Sequence, residues 1–165
     1  MSVESLPKPH DIATGEISSW RGRCLDFFAR GERSVDMALE LVSSRDASLS
    51  MKPLAGQRLA DVVRLAVEEG GATEKQSTGL LLALERWSSI NAKRAYLAHG
   101  VTTVLLDRHG DWHVQFDFIR YHAKRRDAER WACSKEEALQ FEAALAEAFK
   151  ALSAQLGHFR KRLAL

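Results

Sequence analysis

The 165-residue chain lacks several features that would restrict its function to a known class. It has only two cysteines, Cys24 and Cys133, far apart and outside any metal-binding spacing, so we expect reduced thiols in a cytoplasmic protein. No run approaches the roughly 18 apolar residues of a transmembrane helix, so we expect no membrane segment. A glycine-rich loop followed by lysine is also missing, which argues against nucleotide hydrolysis of the P-loop kind.

The chain also lacks a strong excess of charge. Its 24 lysines and arginines against 22 acidic residues give a formal net charge of +2, so any basic surface must be local. Residues 1–12 are polar, include Pro7 and Pro9, and lack the apolar segment of a signal peptide. We therefore expect a flexible N-terminal tail over residues 1–12 and a single domain over residues 13–165.

Apolar residues recur in steps of three and four over four segments, as in amphipathic helices. The segments run from about 16 to 43, from Pro53 to about 69, from about 73 to 98, and from 135 to near the C-terminus. Gly31 interrupts the first segment and is expected to bend or split it. Gly100 follows the third segment and is expected to end it in a left-handed conformation.

Between the third and fourth segments the period changes to two. Residues 101–106 and 112–119 are rich in β-branched, aromatic and leucine side chains, and residues 107–111 have a turn composition. They predict a β-hairpin, and residues 120–130 then form a charged connection. The predicted fold is mainly α: an antiparallel four-helix bundle with one β-hairpin inserted before the last helix.

The third helical segment ends with two residues suited to phosphate chemistry. Arg94 supplies a fixed cation, and His99 supplies a proton donor or acceptor near neutral pH. On a regular helix the two side chains lie about 140° apart, so they converge only if the last turn unwinds or the arginine reaches round. The simpler interpretation is that His99 and Gly100 only cap the helix, with Arg94 solvated.

The segment from Arg94 to Gly100, ending in Leu97-Ala98-His99-Gly100, resembles the motif of the HEPN superfamily. HEPN domains are compact helical bundles with an Arg-x-x-x-x-His motif near the end of a late helix. A hairpin after the motif and a long final helix are also similar to several bacterial members. In topology the resemblance extends from about Trp20 to Leu163.

Many HEPN proteins are metal-independent endoribonucleases of defence or toxin–antitoxin systems. The resemblance thus implies Arg94 and His99 as catalytic residues, supported by Asn91 and Tyr96, with no metal or cofactor. It also implies a homodimer whose two motifs share a cleft, and a cognate antitoxin or nucleotidyltransferase-type partner. The alternative is a non-catalytic RNA- or protein-binding module, because some members are inactive. Ala95 departs from the polar residue usual at its position, and Asn91, one turn before Arg94, would partly substitute.

A second candidate is the basic segment 120–130, whose five basic and two acidic residues give a local charge of +3. Basic side chains interleaved with aromatic ones are typical of surfaces that bind RNA. The candidate RNA-binding residues are Arg120, Lys124, Arg125 and Arg126. The alternative, which we favour slightly, is a solvated loop leading into the last helix.

A third candidate is a metal site at His109, Asp111 and His113, which alternate along the chain. The first two of these residues fit a hairpin turn better, and neither CxxC nor HExxH accompanies them. We therefore expect no functional metal.

Overall fold

The computed structural model describes residues 7–45, 50–68, 74–122 and 125–164. The protein is mainly helical and carries one small antiparallel sheet. Its elements are α1 (Pro9–Ser43), α2 (Ala55–Glu68), α3 (Glu74–Asn91), α4 (Arg94–His99), β1 (Val101–Leu106), β2 (Trp112–His122), β3 (Arg125–Ser134) and α5 (Lys135–Leu163). Within the described ranges, no helix is long and apolar enough to cross a membrane.

The chain divides into two compact units. The first contains residues 1–25 and 93–144, and the second contains residues 26–92 and 145–165. Helices α1 and α5 contribute residues to both units, whereas the sheet and α4 belong to the first and α2 and α3 to the second. The single domain expected for residues 13–165 stays a prediction.

Helix α1 begins at Pro9, so residues 9–12, which were expected to belong to a flexible tail, are helical. Proline is well accommodated in the first turn of a helix, where its missing N–H costs nothing, and Asp11 adds a favourable negative charge there. Residues 1–6 lie outside the described part of the chain.

The sheet has three strands in the order β1-β2-β3, all antiparallel, rather than the predicted single hairpin. The predicted charged connection was wrong, because residues 125–134 form β3. Charges on β3 meet opposite charges on β2: Arg130 Nε lies 2.7 Å from Asp117, and Arg120 Nε lies 3.1 Å from Glu129. These cross-strand pairs make a charged sequence compatible with a strand.

The core of the first unit forms around Trp20 of α1, whose side chain is 1% exposed. Its Nε1 donates a 2.8 Å hydrogen bond to the carbonyl oxygen of Ala138 in α5. Four aromatic rings surround it at centroid distances of 6.2–6.5 Å, namely Trp112, Phe116, Trp131 and Phe141. In this unit α1 and α5 therefore pack on one face of the sheet.

Within the first unit, α1 and α5 run parallel. Lys135 Nζ lies 2.8 Å from Glu16, and Arg23 Nε lies 2.6 Å from Glu142, so both helices advance by seven residues between the two contacts. The antiparallel arrangement expected of a bundle is wrong for this pair. The physical reason is that β1–β3 return the chain to the start of α1 before α5 begins.

In the second unit, α1 packs closely against α3. Phe28 meets Trp87 edge-on with ring centroids 5.8 Å apart, and a Cβ at Gly31 would overlap the Trp87 indole. The expectation that Gly31 splits α1 was wrong, because the helix is continuous through it. A bend at Gly31 stays a prediction. Glycine is instead required there by the close approach of the tryptophan.

Other contacts in the second unit join α1 to α2 and to α5. Arg58 Nε lies 2.6 Å from Asp36 Oδ1, and the rings of Phe27 and Phe149 lie 5.9 Å apart. Four helical segments, taken from α1, α2, α3 and α5, make up the described part of this unit.

The third predicted helix is divided, because α3 ends at Asn91 and α4 begins at Arg94. The expected left-handed cap at Gly100 was also wrong, since its φ of −68° and ψ of 138° are extended. Glycine is needed there for space: a Cβ would collide with the carbonyl oxygen of Tyr96 and lie 3.0 Å from Phe116 Cβ. Of the residues described, only Gly110 has a positive φ, at 88°.

Candidate active site on α4

Arg94 and His99 are the first and last residues of α4, a helix of six residues in the first unit. The last turn is not unwound, because the N–H of Gly100 donates a 2.9 Å bond to the carbonyl oxygen of Tyr96. The two side chains therefore leave the helix about 140° apart. His99 is exposed at the end of the helix, and Arg94 is half-buried at its start. Within one chain, the guanidinium of Arg94 meets the imidazole of His99 only if the arginine side chain extends round the helix.

The His99 imidazole stacks on Phe118 of β2, with ring centroids 6.3 Å apart and an interplanar angle of 28°. The guanidinium carbon of Arg120 lies 6.0 Å from the centroid of the same ring. An exposed histidine and an arginine therefore flank one aromatic side chain. Phe118 and Arg120 lie on the same face of β2 because they are two residues apart. The sequence analysis missed this pairing because the predicted strand ended at residue 119.

Glu129 of β3 connects α4 to Arg120, a role that no pattern in the sequence indicates. It accepts a 2.7 Å hydrogen bond from Tyr96 Oη and forms an ion pair with Arg120 Nε at 3.1 Å. The hydrogen bond to Glu129 raises the pKa of Tyr96. The tyrosine thus stays protonated at neutral pH and positions α4 on the sheet, which is compatible with its predicted supporting role.

Lys93 lies just before α4 and adds positive charge to the same aromatic surface. Its Nζ lies 5.3 Å from the ring centroid of Tyr96 and 5.2 Å from that of Trp131, distances at which a cation is attracted to an aromatic face. The contact places an ammonium group beside the site without an ion-pair partner among the described residues. Sequence reasoning missed Lys93, although it directly precedes the motif.

Arg21 of α1 holds the other end of α4, and the sequence analysis missed it as well. Its Nε donates a 2.5 Å bond to the carbonyl oxygen of Leu97, and its Nη1 donates a 3.0 Å bond to Thr102 Oγ1. A cation at a helix C-terminus is favourable because it binds carbonyl groups that lack helical partners. Arg21 thereby binds the backbone just before His99 and a side chain three residues after it.

Asn91, the other predicted supporting residue, belongs to the second unit. It is the last residue of α3, and its Oδ1 is buried with no hydrogen-bond partner among the described residues. It lines a small cavity together with Trp87 and Leu59. Its support of Arg94 stays a prediction.

The basic segment is divided between two faces of the sheet, so it is not the solvated loop that we favoured. Arg125 Nε lies 2.6 Å from Asp127, on the face that carries Arg120. Arg126 is exposed on the opposite face, where it pairs across the strands with Tyr121, which is 76% exposed. Lys124 lies outside the described residues. Acidic neighbours therefore neutralise part of the predicted RNA-binding charge.

The predicted metal candidate forms a hydrogen-bonded turn. Asp107 Oδ1 accepts bonds of 2.8 Å from the N–H of His109 and 3.0 Å from the N–H of Asp111. These two backbone bonds hold the pKa of Asp107 below its usual value, and the bond from His109 contributes most. Its Oδ2 lies 3.9 Å from His113 Nε2. In the described ranges, no group of three or more His, Cys, Asp or Glu is arranged to hold a metal ion.

Both cysteines are buried free thiols in the first unit. Burial is the main cause that raises the pKa of Cys24 to about 12 and that of Cys133 to about 11. Neither is therefore a thiolate at neutral pH, and neither has the character of a nucleophile.

Comparison with known proteins gives no relative from which a function can be transferred. No protein-family model, no curated protein and no solved structure matches the chain. Function is therefore inferred from the residues and the geometry of α4 and the sheet.

Proposed function

We propose that this chain is a HEPN-like protein that cleaves RNA without a metal, using Arg94 and His99. In this proposal the four helical segments of the second unit form the HEPN-like bundle, and the first unit presents the motif. The protein acts as a cytoplasmic homodimer in a defence or toxin–antitoxin system, with an antitoxin or nucleotidyltransferase-type partner. The observation that carries the proposal is the exposed His99 stacked on Phe118 beside Arg120.

The chemistry requires a base, an acid and a cation. A base removes the proton of the RNA 2′-hydroxyl, the 2′-oxygen attacks phosphorus, and the bond from phosphorus to the 5′-oxygen breaks as an acid protonates that oxygen. The products are a 2′,3′-cyclic phosphate and a 5′-hydroxyl. His99 serves as base or acid, and His99 of a second copy supplies the complementary role.

Positive charge stabilises the developing phosphorane-like transition state. Arg94 binds the phosphate through its planar fork of N–H groups, which suits two oxygens at once. Lys93 adds positive charge on the same aromatic surface, whereas the charge of Arg120 is paired with that of Glu129. An unpaired RNA base can stack on exposed aromatic side chains, which gives affinity with little sequence preference.

The test is cleavage of end-labelled single-stranded and structured RNAs in EDTA. The wild type is compared with His99→Ala and with His113→Ala, which removes another partly exposed histidine of the same unit. We expect His99→Ala to lower the cleavage rate by about 10²–10⁴-fold, the usual contribution of a general acid or base. His113→Ala should cleave like the wild type. Equal rates for wild type and His99→Ala would exclude His99 from the chemistry.

A non-catalytic HEPN-like module that binds RNA or a protein is the second candidate. It is favoured by Ala95, which stands where active HEPN members usually have a polar residue. In that case binding survives His99→Ala but weakens when Arg120, Arg125 and Arg126 are replaced by glutamine. Binding of RNA by wild type with no cleavage in EDTA would favour this candidate.

A further inference from the structure

A groove lies between α1 and β1 in the first unit, separate from the His99 surface. Its volume is about 540 Å³, and the residues that line it include His10, Ser18, Arg21, Thr102 and Thr103. Hydroxyl and basic groups dominate its polar surface, and none of its lining residues is acidic. A groove of this composition favours an anion.

Arg21 is the main charge in this groove. It is half-buried and forms no ion pair within the described part of the chain. Its three hydrogen bonds all go to neutral oxygens, those of Leu97, Ala98 and Thr102. A guanidinium has five N–H groups, so two remain for a ligand. A partly desolvated cation without a counter-ion attracts an anion strongly.

The acidic residues of α1 in this unit do not neutralise the groove. Asp11 and Glu16 line a different groove of the same unit. The Oε2 atom of Glu16 is directed toward that other groove, since it lies 2.8 Å from Lys135 Nζ and accepts a 2.7 Å bond from Trp112 Nε1. Positions 10, 14, 18 and 21 follow one stripe of the helix, so α1 presents an acid-free face to β1.

Hydroxyl donors surround the cation. Thr102 Oγ1 accepts a bond from Arg21, which leaves its own proton to donate. Ser18 forms no side-chain hydrogen bond with the described residues, so its hydroxyl is also available. Thr14 differs, because its hydroxyl already donates a 2.8 Å bond to the carbonyl oxygen of His10.

We propose that this groove binds a phosphate monoester, the terminal phosphate of a small organic molecule. Three terminal phosphate oxygens match the spare N–H groups of Arg21 and the hydroxyls of Ser18 and Thr102 better than the two oxygens of a carboxylate. The volume exceeds that of a phosphate ion and lies in the range of small-molecule sites, which leaves room for the organic part. The proposal does not depend on RNA cleavage.

The experiment is calorimetric titration of the full-length protein with ribose 5-phosphate, inorganic phosphate, ribose and acetate. We expect saturable binding of the two phosphates, and much weaker or no binding of ribose and acetate. Ser18→Ala should weaken the binding of ribose 5-phosphate about tenfold, because it removes a hydrogen bond to a charged group. Ser19→Ala is the matched control, since Ser19 lies on the same helix but lines the other groove.

Arg21→Lys keeps the charge but loses the fork, and should weaken binding by about tenfold or more. Because Arg21 also holds α4, this result is interpreted only beside Ser18→Ala, with circular dichroism to confirm that each variant is folded. Three outcomes would overturn the proposal: no saturable binding of either phosphate to the folded wild type, equal affinity in Ser18→Ala and Ser19→Ala, or acetate bound as tightly as ribose 5-phosphate. Loss of RNA cleavage would not affect it.

Discussion

Replacement of Gly31 by alanine tests how closely α1 packs in the second unit. At an open helical position, alanine in place of glycine stabilises a protein by about 1 kcal/mol. At Gly31 the added Cβ would overlap the indole of Trp87, which is 1% exposed and packs against Phe28. Overpacking of a rigid core costs about 1–3 kcal/mol, and so deep an overlap belongs at the upper end. We expect a net loss of about 2 kcal/mol.

The matched control is Gly157→Ala in α5, where an added Cβ meets nothing within 4 Å. It belongs to the same unit and should stabilise the protein by about 0.5–1 kcal/mol. Thermal unfolding followed by far-UV circular dichroism should give a Tm about 4–8 °C lower for Gly31→Ala and slightly higher for Gly157→Ala. If both substitutions raised the Tm, the proposed packing of Trp87 against Gly31 would be wrong.

Three further predictions concern the first unit. The hydrogen bond to Glu129 raises the pKa of Tyr96, so this bond stabilises the folded protein at neutral pH, and the stabilisation is lost above about pH 10. We expect Tyr96→Phe to abolish this alkaline loss, as measured by the free energy of unfolding in urea over a range of pH. The pKa values of Cys24 and Cys133 are raised to about 12 and about 11, so both thiols should react with a thiol reagent at pH 8 far more slowly in the native protein than in urea. Equal rates in the two states would contradict the burial of these thiols. Gly100→Ala should lower the unfolding free energy in urea by about 1–3 kcal/mol, and an unchanged value would contradict the tight approach to Tyr96.

Features set by neighbouring residues could be predicted from the sequence. The helical periodicity located the main helices. At the start of α5, Ser134 and Glu137 lie three residues apart, a spacing typical of a helix N-terminus. These two residues form a reciprocal cap, with the N–H of Ser134 donating to Glu137 at 2.8 Å and the N–H of Glu137 donating to Ser134 Oγ at 3.2 Å. Such signals are readable because both partners lie within one turn.

Features that depend on distant partners could not be predicted. The charges of β3 are compatible with a strand only because Asp117 on β2 meets Arg130, and this pairing depends on a register that composition does not reveal. The sequence correctly placed Gly100 just after a helix. The requirement for glycine there depends partly on Phe116 of β2, which a Cβ at this position would crowd. His99 was readable as a helix-end residue, whereas its contact with Phe118 required the docking of α4 on the sheet.

The central claim is that His99 performs proton transfer in metal-independent RNA cleavage. The most direct measurement is the single-turnover cleavage rate of one labelled RNA in EDTA by folded wild type and folded His99→Ala. We predict cleavage by the wild type, a product with a 2′,3′-cyclic phosphate, and a rate lower by about 10²–10⁴-fold in the variant. Equal rates, or no cleavage of any RNA by the wild type, would contradict the account.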